Sequence, residues 1–168
     1  WAAKYAGDLG NSLKVSTCPS SAAWQSTLTG TFTVSAGGTT VTGTGSAANT
    51  ELTVGDLVVL NGRTTKVASI TNATSFTLAS AHLTGATAAS GTRRWEFYGE
   101  FDAAPGTSTF GASVSAVGDE MHVVVVDEKG TFSGRAGTIL ETFAGLSRAT
   151  NATTTGGAVN YYKDVINQ

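Results

Sequence analysis

The residues with the greatest capacity for chemistry stand together at Asp119-Glu120-Met121-His122. Two carboxylates and an imidazole within four positions invite a metal reading. On a strand, however, successive side chains point to opposite faces, so Glu120 and His122 share one side and Met121 the other. Two ligands do not close a four-coordinate site, and the segment reads instead as a solvated strand entrance or an interface polar group. Gly43-Thr44-Gly45-Ser46-Ala47-Ala48 matches the dinucleotide pattern G-x-G-x-x-A. That chemistry needs a helix to begin there and aim its amides at a pyrophosphate. Asn49-Thr50-Glu51-Leu52-Thr53-Val54-Gly55 is poor helix material, so the glycines read as a turn. Gly130 to Gly134 imitates a nucleophile elbow, but Ser133 falls one place late and sits in a hairpin. The carboxylates at Asp8, Asp56, Asp102, Asp127, Glu128 and Glu141 show no spacing that marks a catalytic pair. Cys18 is the single cysteine and reads as a small hydrophobe on a strand. No catalytic residue, cofactor or metal is expected, and the chain does not read as an enzyme.

The elements that would carry these residues are strands. Of 168 residues, 40% are hydrophobic and only 13% charged, which suffices for a core. Thr alternates with Val, Ile, Leu and Phe along the chain, and branched residues fit a pleated, half-buried surface. The net charge of −2 and the absence of a basic stripe argue against direct nucleic-acid binding. No apolar run approaches the length needed to span a bilayer, so no membrane insertion is expected. The start, Trp1-Ala2-Ala3-Lys4, has neither an initiator Met nor a signal-peptide pattern, and reads as the interior of a longer protein.

Leu13 to Thr17 alternates as a half-buried strand. Between Leu28 and Tyr98 the texture changes to short strands with tight turns: Thr31–Ser35, Thr39–Thr42, Val54–Leu60, Thr64–Ile70, Ser75–Leu78 and a closing strand at Arg94–Tyr98. Asn61-Gly62 is a strong hairpin signal, because both residues accept positive φ. Ala79 to Thr92 is a low-complexity stretch of Ala, Gly, Ser and Thr. Met121 to Asp127 reads as a central strand, apolar on both faces at Val123–Val126. Thr131-Phe132-Ser133 reads as the start of its return strand, continued by Thr138–Phe143. Asn160 to Asn167 is the one predicted helix, with Tyr161/Val165 and Tyr162/Ile166 at i,i+4 spacing. The expected organisation is mainly β (α+β). A small β-barrel or sandwich over 28–98 is inserted into a discontinuous body domain made of 1–27 and 99–168.

Four segments outside the insert carry a resemblance. Ala3-Lys4-Tyr5-Ala6-Gly7-Asp8-Leu9-Gly10-Asn11-Ser12-Leu13-Lys14-Val15 is a loop of the type K-Y-P-G-x-x-G-N feeding the first strand, departing at Ala6 where Pro is usual. Asp119 to Gly130, then Gly137 to Phe143 with Leu146-Ser147, then Tyr161 to Asn167 follow in order. This set resembles the tail sheath proteins of contractile bacteriophages and covers about half of the chain. The resemblance implies a virion protein, made in the host cytoplasm, whose subunits form stacked, hexameric rings around the tail tube. Contraction drives that tube through the host envelope and ejects the genome. It implies partners as well: other copies of the chain, the tail tube protein, and the baseplate and neck proteins.

The candidate subunit interface is Asp127, Glu128, Lys129, Tyr161 and Tyr162. Trp95 and Tyr98 are a candidate exposed binding surface on the insert. They keep open the alternative of another virion structural protein or an adhesion or carbohydrate-binding β module. If the 127–129 hairpin lies between subunits, reversing the charge at Asp127, Glu128 or Lys129 alters assembly, which electron microscopy of the particles would reveal.

Overall fold

A computed structural model describes residue 3 and residues 6–167. Lys4 and Tyr5 of the first loop motif, with Trp1, Ala2 and Gln168, lie outside the described residues. The strands follow one another as β1 (Leu13–Cys18), β2 (Gln25–Thr27), β3 (Thr31–Val34), β4 (Gly38–Thr44), β5 (Leu57–Leu60), β6 (Arg63–Asn72), β7 (Ser75–His82), β8 (Ala86–Ala89), β9 (Gly91–Arg94), β10 (Glu120–Asp127) and β11 (Thr138–Ser147). Four single-turn helices accompany them: α1 (Ser21–Trp24), α2 (Ala48–Glu51), α3 (Thr109–Ser113) and α4 (Tyr162–Ile166). The fold is therefore mainly β with a short C-terminal helix. No helix among the described residues is long and apolar enough to cross a membrane.

The chain divides into two compact units, residues 1–21 with 99–168, and residues 22–98. The first boundary falls at 21/22 and not at 27/28. The reason is pairing: β2 lies antiparallel to β9, with Gln25 opposite Arg94 and Thr27 opposite Thr92.

In the discontinuous unit, three antiparallel strands run in the order β1-β10-β11. Leu13 faces Asp127 and Cys18 faces His122 across one ladder, while Glu120 faces Ser147 and Asp127 faces Thr138 across the other. The central position of β10 explains its composition, since a strand flanked on both sides and covered on both faces has no use for alternation. Met121, Val123 and Leu146 form a core with Val15, Phe143, Tyr162, Val165 and Ile166. That is how α4 survives, because one turn of helix holds only by docking its apolar side. The helix is shorter than the 160–167 span predicted, and Tyr161 stands at its N-cap. On the other face the His122 ring stacks flat on Phe101, with centroids 4.4 Å apart and planes 8° from parallel. The return strand begins at Thr138. Thr131-Phe132-Ser133 belongs to a turn and not to a strand, a departure with a local cause described below.

In the continuous unit, eight antiparallel strands run β2-β9-β5-β6-β7-β4-β3-β8. Residues 63–66 of β6 pair with β5 while residues from 67 onward pair with β7. One long strand thus belongs to two parts of the sheet, which wraps over a single core of Leu28, Phe32, Val41, Val58, Leu60 and Phe76 with their neighbours. Asn61 and Gly62 both take positive φ, at 47° and 73°, as the hairpin signal requires. Two strands differ from expectation. β8 and half of β9 lie in the low-complexity stretch, and the closing strand is β9 itself, Gly91–Arg94, with Trp95–Tyr98 turning out of the sheet. Small residues serve here because the backbone supplies the ladder and Phe32 and Leu60 supply the volume. Gly91 faces them directly, and a Cβ there would lie 3.1 Å from Phe32 and 3.0 Å from Leu28.

A buried ion pair closes this unit. The Arg93 guanidinium donates to both Asp56 oxygens, at 2.9 and 3.1 Å, and to the Ala23 carbonyl at 2.8 Å. Asp56 also accepts from the Thr53 amide at 2.8 Å. Removing Arg93 would leave a buried carboxylate uncompensated. Arg93→Leu is therefore expected to destabilise this unit by about 3 kcal/mol. Lys66→Ala, which breaks the half-exposed Lys66–Glu96 pair, should change it by less than about 1 kcal/mol. Urea unfolding followed by the fluorescence of Trp24 and Trp95 measures both.

Candidate assembly surface

The discontinuous unit is organised at one end of its sheet by a single carboxylate. Asp127 closes β10 and is fully buried. One of its oxygens accepts from the Ser12 hydroxyl and from the amides of Gly130 (2.9 Å) and Thr131 (3.0 Å). The other accepts from the amides of Phe132 (2.9 Å) and Ser133 (2.8 Å) and from the Ser133 hydroxyl (2.8 Å). This is why residues 131–133 do not extend as a strand: their N–H groups point inward at a charge instead of across a ladder. Gly130 makes the wrap feasible. Its φ is 81°, and a Cβ would lie 2.6 Å from the Ala136 nitrogen. Ser12 ends a hydrogen-bonded turn over Gly7–Ser12, and its carbonyl accepts from the Glu128 amide at 2.7 Å. Two loops from distant parts of the chain are thus tied to one group.

Burial pushes the Asp127 carboxyl up, but the hydrogen bonds from Ser12, Ser133 and Phe132 outweigh it and hold the pKa far below the usual carboxylate range. Asp127 is consequently not an interface residue, since its charge is spent within its own chain. Glu128 and Lys129 beside it are exposed. On the same end, Leu9 and Phe132 are 42% and 43% exposed.

A second carboxylate knot lies near the other end of β10. Asp119 accepts from the Ser108 amide at 2.8 Å, from the Ser108 hydroxyl at 2.6 Å and from the Ser147 hydroxyl. Burial again pushes upward, and these donors bring the pKa below its ordinary value. Ser108 also caps α3, accepting from the Gly111 amide at 2.9 Å. A Cβ on Gly111 would meet the Asp119 carboxylate at 2.4 Å, so that glycine makes room for the knot.

The residues first suspected of chemistry are occupied by the backbone. His122 Nε2 is 2.8 Å from the Ala103 carbonyl, and Nδ1 is 3.0 Å from the Gly145 amide. That pairing assigns the proton to Nε2, with Nδ1 as acceptor. Glu120 accepts from the Gly106 amide at 2.9 Å. Among the described residues no three His, Cys, Asp or Glu side chains gather to hold a metal. Ser108 and Ser147 both donate to a carboxylate, while the His122 imidazole faces main-chain groups.

A cleft of about 710 Å³ opens beside α4. Met121 and Thr17 form its floor, and Tyr161 and Tyr162 its wall, with ring centroids 5.0 Å apart. Arg148 and Lys163 line its rim. The Lys163 ammonium lies 5.9 Å from the Tyr162 ring, and the Arg148 guanidinium donates to the carbonyls of Gly118 and Asp119. Neither cation pairs with a carboxylate among the described residues. The structure thus brings Tyr161 and Tyr162 together and sets them at the opposite end of β10 from Glu128 and Lys129. Sequence reasoning passed over Arg148 and Lys163, because no local spacing relates a residue at the end of β11 to one on α4.

The other candidate surface does not survive. Trp95 is 4% exposed and packs between Trp24, at 6.2 Å, and Phe97, at 5.5 Å. Tyr98 is half-buried, 4.6 Å from Trp24, with the Arg94 guanidinium 4.5 Å above its ring. Both rings are thus engaged by neighbours in their own unit, and Trp95 is not the exposed stacking platform expected from the sequence.

No family model, no curated protein and no solved structure matches this chain.

The two lowered carboxylates set an acid limit. A group whose pKa is lower in the fold than in the unfolded chain stabilises the fold above the unfolded value, here 3.8, and loses that contribution as pH falls below it. Stability of this unit is therefore expected to fall with acidification below about pH 4. Asp127→Asn should be destabilised at neutral pH and show a flatter acid dependence. Hydrogen exchange at the amides of residues 130–133 reads both effects, with faster exchange in the variant.

Proposed function

We propose that this chain is a structural subunit of a contractile phage tail sheath, working by contact with copies of itself rather than by catalysis. The observation that carries the reading is spatial. The segments on which the resemblance rests are separated by the whole insert, yet they supply β1, β10, β11 and α4 of one sheet-and-helix unit. A shared ancestry of those segments would require such a meeting, and a chance likeness would not.

The surface supports an assembly role. Eight large hydrophobic residues are exposed among the described ones, and six of them, Leu9, Val114, Val117, Phe132, Leu140 and Val159, belong to the discontinuous unit. Single exposed apolar residues are ordinary, but their concentration on one unit suits a surface covered by neighbours. Repeated weak contacts suffice in a closed ring, where each subunit is held at high effective concentration. On this reading the discontinuous unit is the body that packs into stacked rings around the tail tube, meeting baseplate and neck proteins at the ends. The 22–98 unit has a core of its own.

The reading is tested by purified particles from cells expressing the parent gene. Mass spectrometry is expected to place the protein among the most abundant virion components, with an immunogold label along the tail. A protein absent from tails, or present in a few copies at one end, refutes it.

A further inference from the structure

The candidate interface residues fall into two groups at opposite ends of the same strand. One end is a knob built on the Asp127 knot, where the turn over residues 7–12 and the loop over 128–137 present Leu9 and Phe132 with the carboxylates of Asp8 and Glu128. The other end is the cleft walled by Tyr161 and Tyr162 and rimmed by Arg148 and Lys163. Met121 and Glu128 are seven residues apart on or beside β10, which separates the two features by roughly 20 Å.

We propose that the knob of one copy docks into the cleft of the next. The claim rests on the self-assembly reading and names the surfaces that reading leaves open. The chemistry of the two ends is complementary. The knob offers two exposed apolar side chains and carboxylates with no partner among the described residues. The cleft offers aromatic walls, a thioether floor and two cations without acidic partners. Both knob loops are tied to one buried carboxylate, so little conformational freedom is lost when they are seated. Because the two patches differ and lie apart, the contact is heterologous. Such contacts propagate and generate rings or filaments, not isolated pairs. Lys129 and Arg135 are exposed on the same loop and oppose docking at the cationic rim, which makes the sign of the effect at Lys129 a sharp discriminator.

Sedimentation of the whole 168-residue chain over about 1 μM to 1 mM tests this. Wild type is expected to associate with concentration. Glu128→Gln combined with Phe132→Ser should weaken association at least tenfold, as should Lys163→Gln alone, with far-ultraviolet circular dichroism unchanged. Arg148 is left intact because it also binds the backbone at 118–119. Lys129→Glu should strengthen association. An equimolar mixture of the knob variant and the cleft variant retains one working contact per pair, so it should stop at dimers. If wild type associates and neither variant weakens it, or if the mixture forms higher oligomers as readily as wild type, the docking is wrong while self-assembly stands. A chain that stays monomeric across the whole range overturns both.

Discussion

A charge removed from water must be matched by donors, and much of the discontinuous unit can be understood as the matching of Asp127. Its carboxylate takes six hydrogen bonds, three to each oxygen, from Ser12 and from residues 130–133. Ser12 and Asp127 are 115 positions apart in the chain. That one group fixes where β10 stops, bends the loop after it away from strand geometry, and clamps the turn that precedes β1. Asp119 performs a related task elsewhere in the unit, joining the cap of α3 to the last residue of β11. The central Val-rich strand therefore has a hydrogen-bonded carboxylate knot near each end and apolar packing between them.

The 22–98 unit reaches closure by a different balance. Its core is aliphatic and aromatic, with Phe32 and Phe76 edge to face at 5.9 Å. Arg93, near its end, pairs with Asp56 in its middle and donates to the Ala23 carbonyl at its start. Buried pairs of this kind are poor evidence of added stability relative to an apolar pair, but they discriminate strongly against a misplaced partner. Here Arg93 also ties the start of the unit, at Ala23, to its last strand. His82 is a different kind of polar group in that core. Its Nε2 lies 3.1 Å from the Leu60 carbonyl, while Nδ1 is buried with no partner among the described residues.

The functional reading draws on these constraints without depending on any reactive group. The three residues that first suggested chemistry are engaged by their own chain: His122 by two backbone groups, Glu120 by an amide, and Asp119 by Ser108 and Ser147. The surface of the discontinuous unit carries exposed apolar side chains, Leu9, Val114, Val117, Phe132, Leu140 and Val159, together with exposed charges such as Glu128 and Lys163. Such a surface is suited to meeting another protein surface, and its rigid knots would keep it in one shape while it does so.

The amino-acid sequence by itself determined the β character, the Asn61-Gly62 turn, the central place of the Val123–Val126 run and the short helix near the end. These follow from steric preferences and side-chain periodicity, which act within a few residues and are visible in any short window. Only the tertiary structure decided that Asp127 faces inward, that Thr131–Ser133 wraps a carboxylate instead of extending, that Trp95 is buried under Trp24, and that Gln25–Thr27 belongs with the insert. Each of those outcomes depends on a partner far along the chain: Ser12 for Asp127, Trp24 for Trp95, β9 for β2. The energy of matching a buried charge or filling a core depends on what the fold brings alongside, and no local pattern of residue types encodes that neighbour.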